Sequence, residues 1–221
     1  MNKQLSLSAI SDELAQAKTR KKEFLEQMNK IIPWGEWVSL VEPCYYKPFN
    51  LELMLRLHVL QNLYDISDMK TADEVIDSHA FAWFCGVESS NQVPDGDTIG
   101  RFRNILTENG LQKKLFGQVL ALLQAKGLIL KKGTIVDSTI INAPSSTKNR
   151  EKKRDPDAHQ TKKGNEWRFG YKAHIGVDKD SGLVHKVVVT GANVHDVTVV
   201  SQLLTGEEEV VHGDSGYIGA E

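Results

Sequence analysis

Gly133-Thr134-Ile135-Val136-Asp137-Ser138-Thr139-Ile140-Ile141 is an apolar stretch rich in β-branched residues with one carboxylate inside it. β-Branched side chains suit the pleated, half-buried surface of a strand. A second short strand, Glu209-Val210-Val211-His212-Gly213-Asp214-Ser215-Gly216-Tyr217, ends on another carboxylate. Between them lie two β-rich runs, residues 169–177 and 183–189, and a helical stretch over about 197–204. The order reads β, β, β, α, β. A buried, unpaired carboxylate is costly, so an Asp among Val and Ile calls for a metal, a donor or an altered pKa. Two readings stand side by side: Asp137 caps a turn and Asp214 sits in a solvent loop, or the pair forms a metal site.

Working back from that stretch, the spacing of apolar residues changes at Lys131-Lys132-Gly133 from threes and fours to twos. This marks a domain boundary, with a helical unit over 1–130 and a β-rich unit over 131–221. Ile10, Leu14, Ala17, Lys21, Phe24, Met28 and Ile31 follow one helical stripe. Ser8 or Ser11 caps it and Pro33 ends it. The stripe needs a partner surface, in its own domain or on a second subunit of a homodimer. Pro43 to Pro48 is a breaker-rich link whose Tyr45 and Tyr46 cover the core edge. Asn50 caps a helix over 51–64 with His58 on its apolar face. Thr71 and Glu74 have the spacing of a capping box opening a second helix. Asp97 caps a third over 98–108, stopped by Asn109-Gly110, and a fourth spans 111–125 and stops at Gly127.

Short helices around tight turns suit a DNA major groove, and Arg101 and Arg103 are the candidates for touching its backbone. Alternatively Arg101 pairs with Asp97 four residues earlier. The polar stretch 142–167 carries Lys148, Arg150, Lys152, Lys153, Arg154, Lys162 and Lys163, relieved by Glu151, Asp155, Asp157 and Glu166. It is either a solvated charged loop or a basic flap over nucleic-acid phosphates.

The chain has 221 residues, enough for one large domain or two small ones. A net charge of -2 gives no global nucleic-acid signature, so local charge carries that argument. Two cysteines, Cys44 and Cys85, stand far apart in no metal spacing, which fits a reduced compartment. No apolar run approaches membrane-spanning length and residues 1–10 lack a signal-peptide core, so the expectation is a cytoplasmic protein without membrane contact. His174, His185, His195 and His212 match no local zinc pattern. Asp196 reads as a helix cap first and a third metal ligand second, and residues 207–209 as a solvated turn. Carboxylates on rigid strands suit Mg²⁺, a hard ion that keeps waters. Two such ions about 4 Å apart activate the attacking oxygen and stabilise the leaving one in phosphodiester chemistry. No Gly-x-Ser-x-Gly elbow or phosphate-binding Gly-rich loop offers another route.

The motifs that carry a family resemblance are Met54-Leu55-Arg56-Leu57, Val93-Pro94-Asp95 leading into Thr98-Ile99-Gly100-Arg101-Phe102-Arg103, residues 136–149, Arg154-Asp155-Pro156, residues 159–164, residues 169–178, Asn193-Val194-His195-Asp196 and Gly213-Asp214-Ser215-Gly216-Tyr217. Through them the chain resembles insertion-sequence transposases of the IS5 group (IS4/IS5-like), within the DDE transposases. The resemblance implies an all-α N-terminal domain followed by an α/β (α+β) ribonuclease-H-like catalytic domain. It implies that Asp137 and Asp214 are the first two catalytic, metal-binding acids, with Mg²⁺ as cofactor and Mn²⁺ as a substitute. It further implies double-stranded DNA partners, the terminal inverted repeats of the element and a target. The family's third acid, a glutamate, comes from a helix well downstream near a Tyr/Arg/Lys signature, and Glu221 stands too close to Asp214 to be it. The expectation is therefore a domain incomplete at its C-terminus. The chain is then an active transposase only in full-length form, and otherwise an inactive DNA-binding remnant or inhibitor.

Overall fold

The structure, a computed structural model, describes residues 19–46, 48–148, 150 and 152–219. The chain divides into two compact units, Met1–Val119 and Leu120–Glu221. Ile10, Leu14, Ala17 and the caps Ser8 and Ser11 lie outside the described residues.

The first unit is all-helical. α1 spans Arg20–Ile31 and starts at Thr19, whose side chain accepts the Lys22 N–H at 3.2 Å. Its buried edge is Leu25, followed by Ile32, while Phe24 of the expected stripe is exposed. α2, Trp34–Val41, inserts Trp37 and Val41 into the core. α3, Leu51–Tyr64, is capped by Asn50, whose Oδ1 accepts Glu52 N–H at 2.8 Å and Leu53 N–H at 3.2 Å. Met54, Leu55, Leu57, Val59 and Leu60 are all buried, so α3 is apolar nearly all round and the unit's core forms about it.

Two helix starts differ from the sequence expectation. α4 is Asp68–Asp77, capped by Ser67, and Thr71 lies inside it, fully buried, its hydroxyl donating to Ser67 O at 2.8 Å. Thr71 therefore opens no capping box. A separate α5, His79–Cys85, follows and closes on Gly86 at φ 67. α6 is Gly96–Glu108, and Asp95, not Asp97, caps it by accepting Thr98 N–H at 2.7 Å. Asp97 lies two residues past that cap, in the first turn, where a negative charge suits the helix dipole. α7, Leu111–Ala125, falls where its period places it, with Gly127 at φ 67 behind it.

The second unit holds a five-stranded mixed sheet: β1 Gly133–Asn142, β2 His159–Lys163, β3 Glu166–Asp178, β4 Val184–Gly191 and β5 Val210–His212. β3 pairs antiparallel with β1, β2 and β4, while β5 runs parallel to β1. A turn of 3-10 helix, Asp196–Val199, leads into the short α8, Val200–Leu203. Antiparallel strands, a crossover helix and a parallel strand beside the first give the ribonuclease-H-like architecture. The stretch 142–167 is not wholly loop, because β2 folds back on the start of β3 as a hairpin. Gly170 makes that junction possible: a Cβ there would stand 2.0 Å from Ile141 O.

Val136, Val199, Val200, Leu203 and Tyr217 form the core on one face of the sheet. The other face is apolar but open among the described residues: Ile135, Ile141, Val187, Val189 and Val210 are all exposed.

Buried polar groups pin the ends of β1 and β3. Asp178 Oδ2 accepts Leu130 N–H at 3.0 Å and Lys131 N–H at 2.8 Å, and Oδ1 accepts Ser181 N–H and hydroxyl at 2.8 and 2.7 Å. Glu208 does not lie in a solvated turn. It accepts Thr205 N–H and hydroxyl at 2.6 and 2.8 Å, Gly206 N–H at 2.8 Å and the Thr134 hydroxyl at 3.1 Å. Its neighbour Glu207 pairs with Lys131 at 3.3 Å.

Candidate functional site

Side chains alternate across a strand, and in β1 the buried positions are Gly133, which has no side chain, Thr134 and Val136. Asp137 therefore points to the open face, beside Ile135, and is exposed. The premise of a carboxylate buried among Val and Ile does not hold: the apolar neighbours in sequence occupy the other face or share the open one. Nor does Asp137 cap a turn. Its Oδ1 accepts the N–H of Ser138 at 2.7 Å.

The parallel register sets Ile135 opposite His212. Asp137 stands two residues further along β1, and Asp214 two residues beyond His212, just past the end of β5. Asp214 is exposed and caps the 3-10 turn Ser215–Tyr217, its Oδ1 accepting Gly216 N–H at 2.9 Å. One oxygen of each carboxylate is thus held by backbone, which fixes the group and leaves the other oxygen for a ligand. Two oxygen donors of this kind suit a hard divalent cation that retains water.

A third acid, Asp196, approaches Asp214. An atom added at the Gly216 Cβ position would lie 3.0 Å from Asp214 Oδ1 and 3.6 Å from Asp196 Oδ2. Asp196 does not cap the following helix. His195 holds the N-cap position, and the Asp196 carboxylate turns instead to Lys172 Nζ, 3.0 Å away, with His174 Nδ1 at 3.5 Å. An ammonium is a stronger partner than a neutral backbone N–H. Lys172 also donates to Val194 O at 2.9 Å, and His174 Nε2 meets Thr190 Oγ1 at 2.9 Å. Among the described residues no group of three or more His, Cys, Asp or Glu side chains stands so as to hold a metal ion. Asp196 therefore does not complete a ligand set with Asp137 and Asp214.

Tyr217 lies buried under these acids. Burial pushes its phenol pKa up, Ser138 beside it works the other way, and the charges of Asp196, Asp137 and Asp214 each add to the rise. The phenol thus senses all three carboxylates. Lys172 and Tyr217 were not singled out in the sequence, and His174 entered it only among the histidines that match no zinc pattern. The available signal was alternation: Lys172 and His174 share the face of Ser138, opposite which His174 pairs. A cation on the inward face of a strand needs an anion nearby.

His174 is fully buried. Burial, the largest influence, pushes its pKa below the ordinary value, the Asp196 charge pulls it up and the Lys172 charge pushes it down. In the variant Lys172→Met the His174 pKa is expected to rise, and in Asp196→Asn to fall. Ring-proton NMR titration reads both, and shifts of the same sign in the two variants would refute the arrangement.

The basic candidates are distributed unevenly. Arg103 is engaged by Asp68, through Nη2 at 2.8 Å and Nε at 3.2 Å, and so is already spent within the helical unit. Arg101 is exposed on α6 and makes no ion pair with Asp97 among the described residues. Lys148, Arg150, Lys152 and Lys153 are exposed along the loop. Arg154 donates to Ser145 O at 2.9 Å and lies 5.6 Å from the centre of the Phe169 ring. Lys162 and Lys163 are exposed on β2. His58 is a half-buried boundary residue beside Phe102, not part of a ligand cluster. Cys44 and Cys85 are free thiols, and burial holds that of Cys85 up at about 12. No helix among the described residues is long and apolar enough to cross a membrane.

Comparison with known families agrees with this layout. Residues 12–104 match a transposase domain (DUF772), and residues 129–221 match a transposase DDE domain. No solved structure matches the chain.

Proposed function

This chain has the domain structure of the DDE-transposase superfamily, and on that premise we propose that it binds the terminal inverted repeats of an IS5-group insertion sequence without cutting them on its own. The observation that carries this reading is the state of the carboxylates. Asp137 on β1 and Asp214 just past the neighbouring β5 are the two candidate acids, but Asp196, which approaches Asp214, is held by Lys172. The chain then acts as a DNA-binding remnant, or as an inhibitor that occupies ends needed by a full-length enzyme.

In the complete enzyme, Asp137 and Asp214 are the residues that would hold Mg²⁺, or Mn²⁺ in its place. The ion would supply an activated water or 3′ hydroxyl for phosphodiester cleavage and joining. The protein's own contribution is positional. The Ser138 and Gly216 N–H groups fix the two carboxylates, and β1 and β5 fix their separation. Arg101 and the cations Lys148, Arg150, Lys152, Lys153, Arg154, Lys162 and Lys163 meet DNA phosphates, which makes binding steeply salt-dependent.

Band shifts with element-end DNA against a scrambled duplex test the binding, and incubation with Mg²⁺ tests the cutting. The expected result is a preferential shift for end DNA and no nicking. Equal binding to both duplexes would sink the end-binding reading. Robust cutting that disappears in Asp137→Asn and Asp214→Asn would show an active enzyme instead.

A further inference from the structure

Trp167 is 69% exposed on β3. A large indole left in water on a regular strand has no folding role to explain it, and its surroundings are those of a nucleotide site. Across the hairpin its register partner is Lys162, and the next pair on the same face is Phe169 with Gln160. The guanidinium of Arg154 lies over the Phe169 ring at 5.6 Å. Asn142, Ser145, Gln160, Arg154 and Trp167 line an open groove of about 610 Å³, together with Arg168 and Glu166, which pair with each other at 3.0 Å. Over residues 159–169 the cations Lys162, Lys163 and Arg168 outnumber the acid Glu166. Aromatic faces interleaved with cations along a groove are what single-stranded nucleic acid requires. A base stacks on the ring while its phosphates meet the charges. Inside a duplex both faces of each base are already covered by neighbours, so an exposed indole gains little there.

From this juxtaposition we infer that the β2–β3 hairpin is a binding site for unpaired nucleotides of single-stranded DNA, with Trp167 as the stacking platform and its cross-strand neighbour Lys162 as the phosphate partner. The assignment rests on the reading of the chain as a DNA-binding protein and specifies which form of DNA the hairpin takes. Charge complementarity selects a polyanion, and the open ring selects an unpaired base within it. Gln160 and Asn142 offer amides to base edges along the groove. A frayed or opened element end would present such a strand.

The test uses the full chain and a fluorescein-labelled 20-nucleotide oligo-dT, with a duplex of equal length as comparison, read by anisotropy. Trp167→Ala should weaken oligo-dT binding by roughly 10-fold to 100-fold, the worth of one stacked base. Trp167→Phe should keep most of the affinity, because a ring face remains. Duplex binding should stay unchanged in both variants. Far-ultraviolet circular dichroism checks that the exposed substitution leaves the fold intact. Wild-type affinity for oligo-dT in Trp167→Ala, or an equal loss on duplex, overturns the inference while leaving the reading of the chain as a DNA-binding protein in place. An RNA 20-mer that outcompetes oligo-dT overturns the assignment to DNA. If the wild-type chain binds neither single strand nor duplex, the DNA-binding reading itself falls and this one with it.

Discussion

Asp178→Asn is expected to destabilise the second unit by about 2–3 kcal/mol, and Asp178→Ala by more than that. The wild-type carboxylate is fully buried and accepts four hydrogen bonds, two at each oxygen. Asparagine keeps one acceptor and replaces the other with a donor. Turned toward Ser181, its NH₂ group meets a hydroxyl that can rotate to accept, but the Ser181 N–H is left without a partner. Turned the other way, it faces both Leu130 and Lys131 N–H groups. Either orientation strands at least one backbone donor and removes the charge that strengthened the rest. Alanine strands all four. For a unit of this size each kcal/mol lowers Tm by roughly 4–8 °C. Scanning calorimetry should therefore show the transition of the second unit moving down by about 10 °C or more in Asp178→Asn. A shift of under about 2 °C would mean that water replaces the lost acceptor.

The same carboxylate sets an acid limit. Burial, the largest influence on Asp178, raises its pKa, but the donors of Ser181, Lys131 and Leu130 together outweigh it and hold the group at about 2, against an ordinary 3.8. Glu208 behaves alike: burial raises it, and the Thr205 and Thr134 donors bring it to about 2 against an ordinary 4.5. Both folded-state values lie below the unfolded ones. Each group therefore contributes stability that is complete above its ordinary value and is lost as pH falls toward about 2. The unfolded chain binds these protons first, so acid favours unfolding.

Sequence patterns reached some of this and not the rest. The change of period at Gly133 and the Asn50 cap were legible because each is local. The role of Asp178 was not, because its partners Leu130 and Lys131 are nearly fifty positions away. That Asp137 and Asp214 sit on or just past neighbouring strands was legible from strand order. Their exposure was not, because Ile135 and Ile141 are apolar residues on an open face and mask the alternation. Thr71 and Asp97 misled for a different reason. Several residues near a helix start have the chemistry of a cap, and only the backbone path decides between Ser67 and Thr71, or between Asp95 and Asp97. The Lys172–Asp196 pair is a contact over 24 residues between a strand and a turn, and no spacing rule encodes it.

In the helical unit the largest effect is expected at Arg56, which was quoted in the sequence only as part of a motif. Its guanidinium joins four helices. Nε and Nη2 donate to Glu52 Oε1 at 2.9 and 2.7 Å on α3, and Nη1 donates to Asn29 Oδ1 of α1 at 2.9 Å and to Phe84 O of α5 at 2.7 Å. The plane lies 4.3 Å from the centre of Trp34 on α2 and 5.3 Å from Phe84. Trp34 Nε1 donates to the same Asn29 Oδ1 at 3.0 Å, so one amide receives two donors from this cluster. Charge alone does not reproduce the arrangement. Lysine carries the same charge on a single point, and can neither fork toward Asn29 and Phe84 while reaching Glu52 nor stack a plane on indole. Arg56→Ala should cost about 3–4 kcal/mol, from lost charge-assisted hydrogen bonds and a Glu52 and Phe84 carbonyl left short of donors. Arg56→Lys should recover less than half of that. If the guanidinium served only as a counter-charge to Glu52, lysine would restore nearly all the stability and Glu52→Gln would equal Arg56→Ala. Urea unfolding of the three variants, followed by tryptophan fluorescence at Trp34 and Trp37, separates the two cases. A planar keystone predicts Arg56→Lys close to Arg56→Ala, with Glu52→Gln the mildest, because the α1 and α5 contacts survive it.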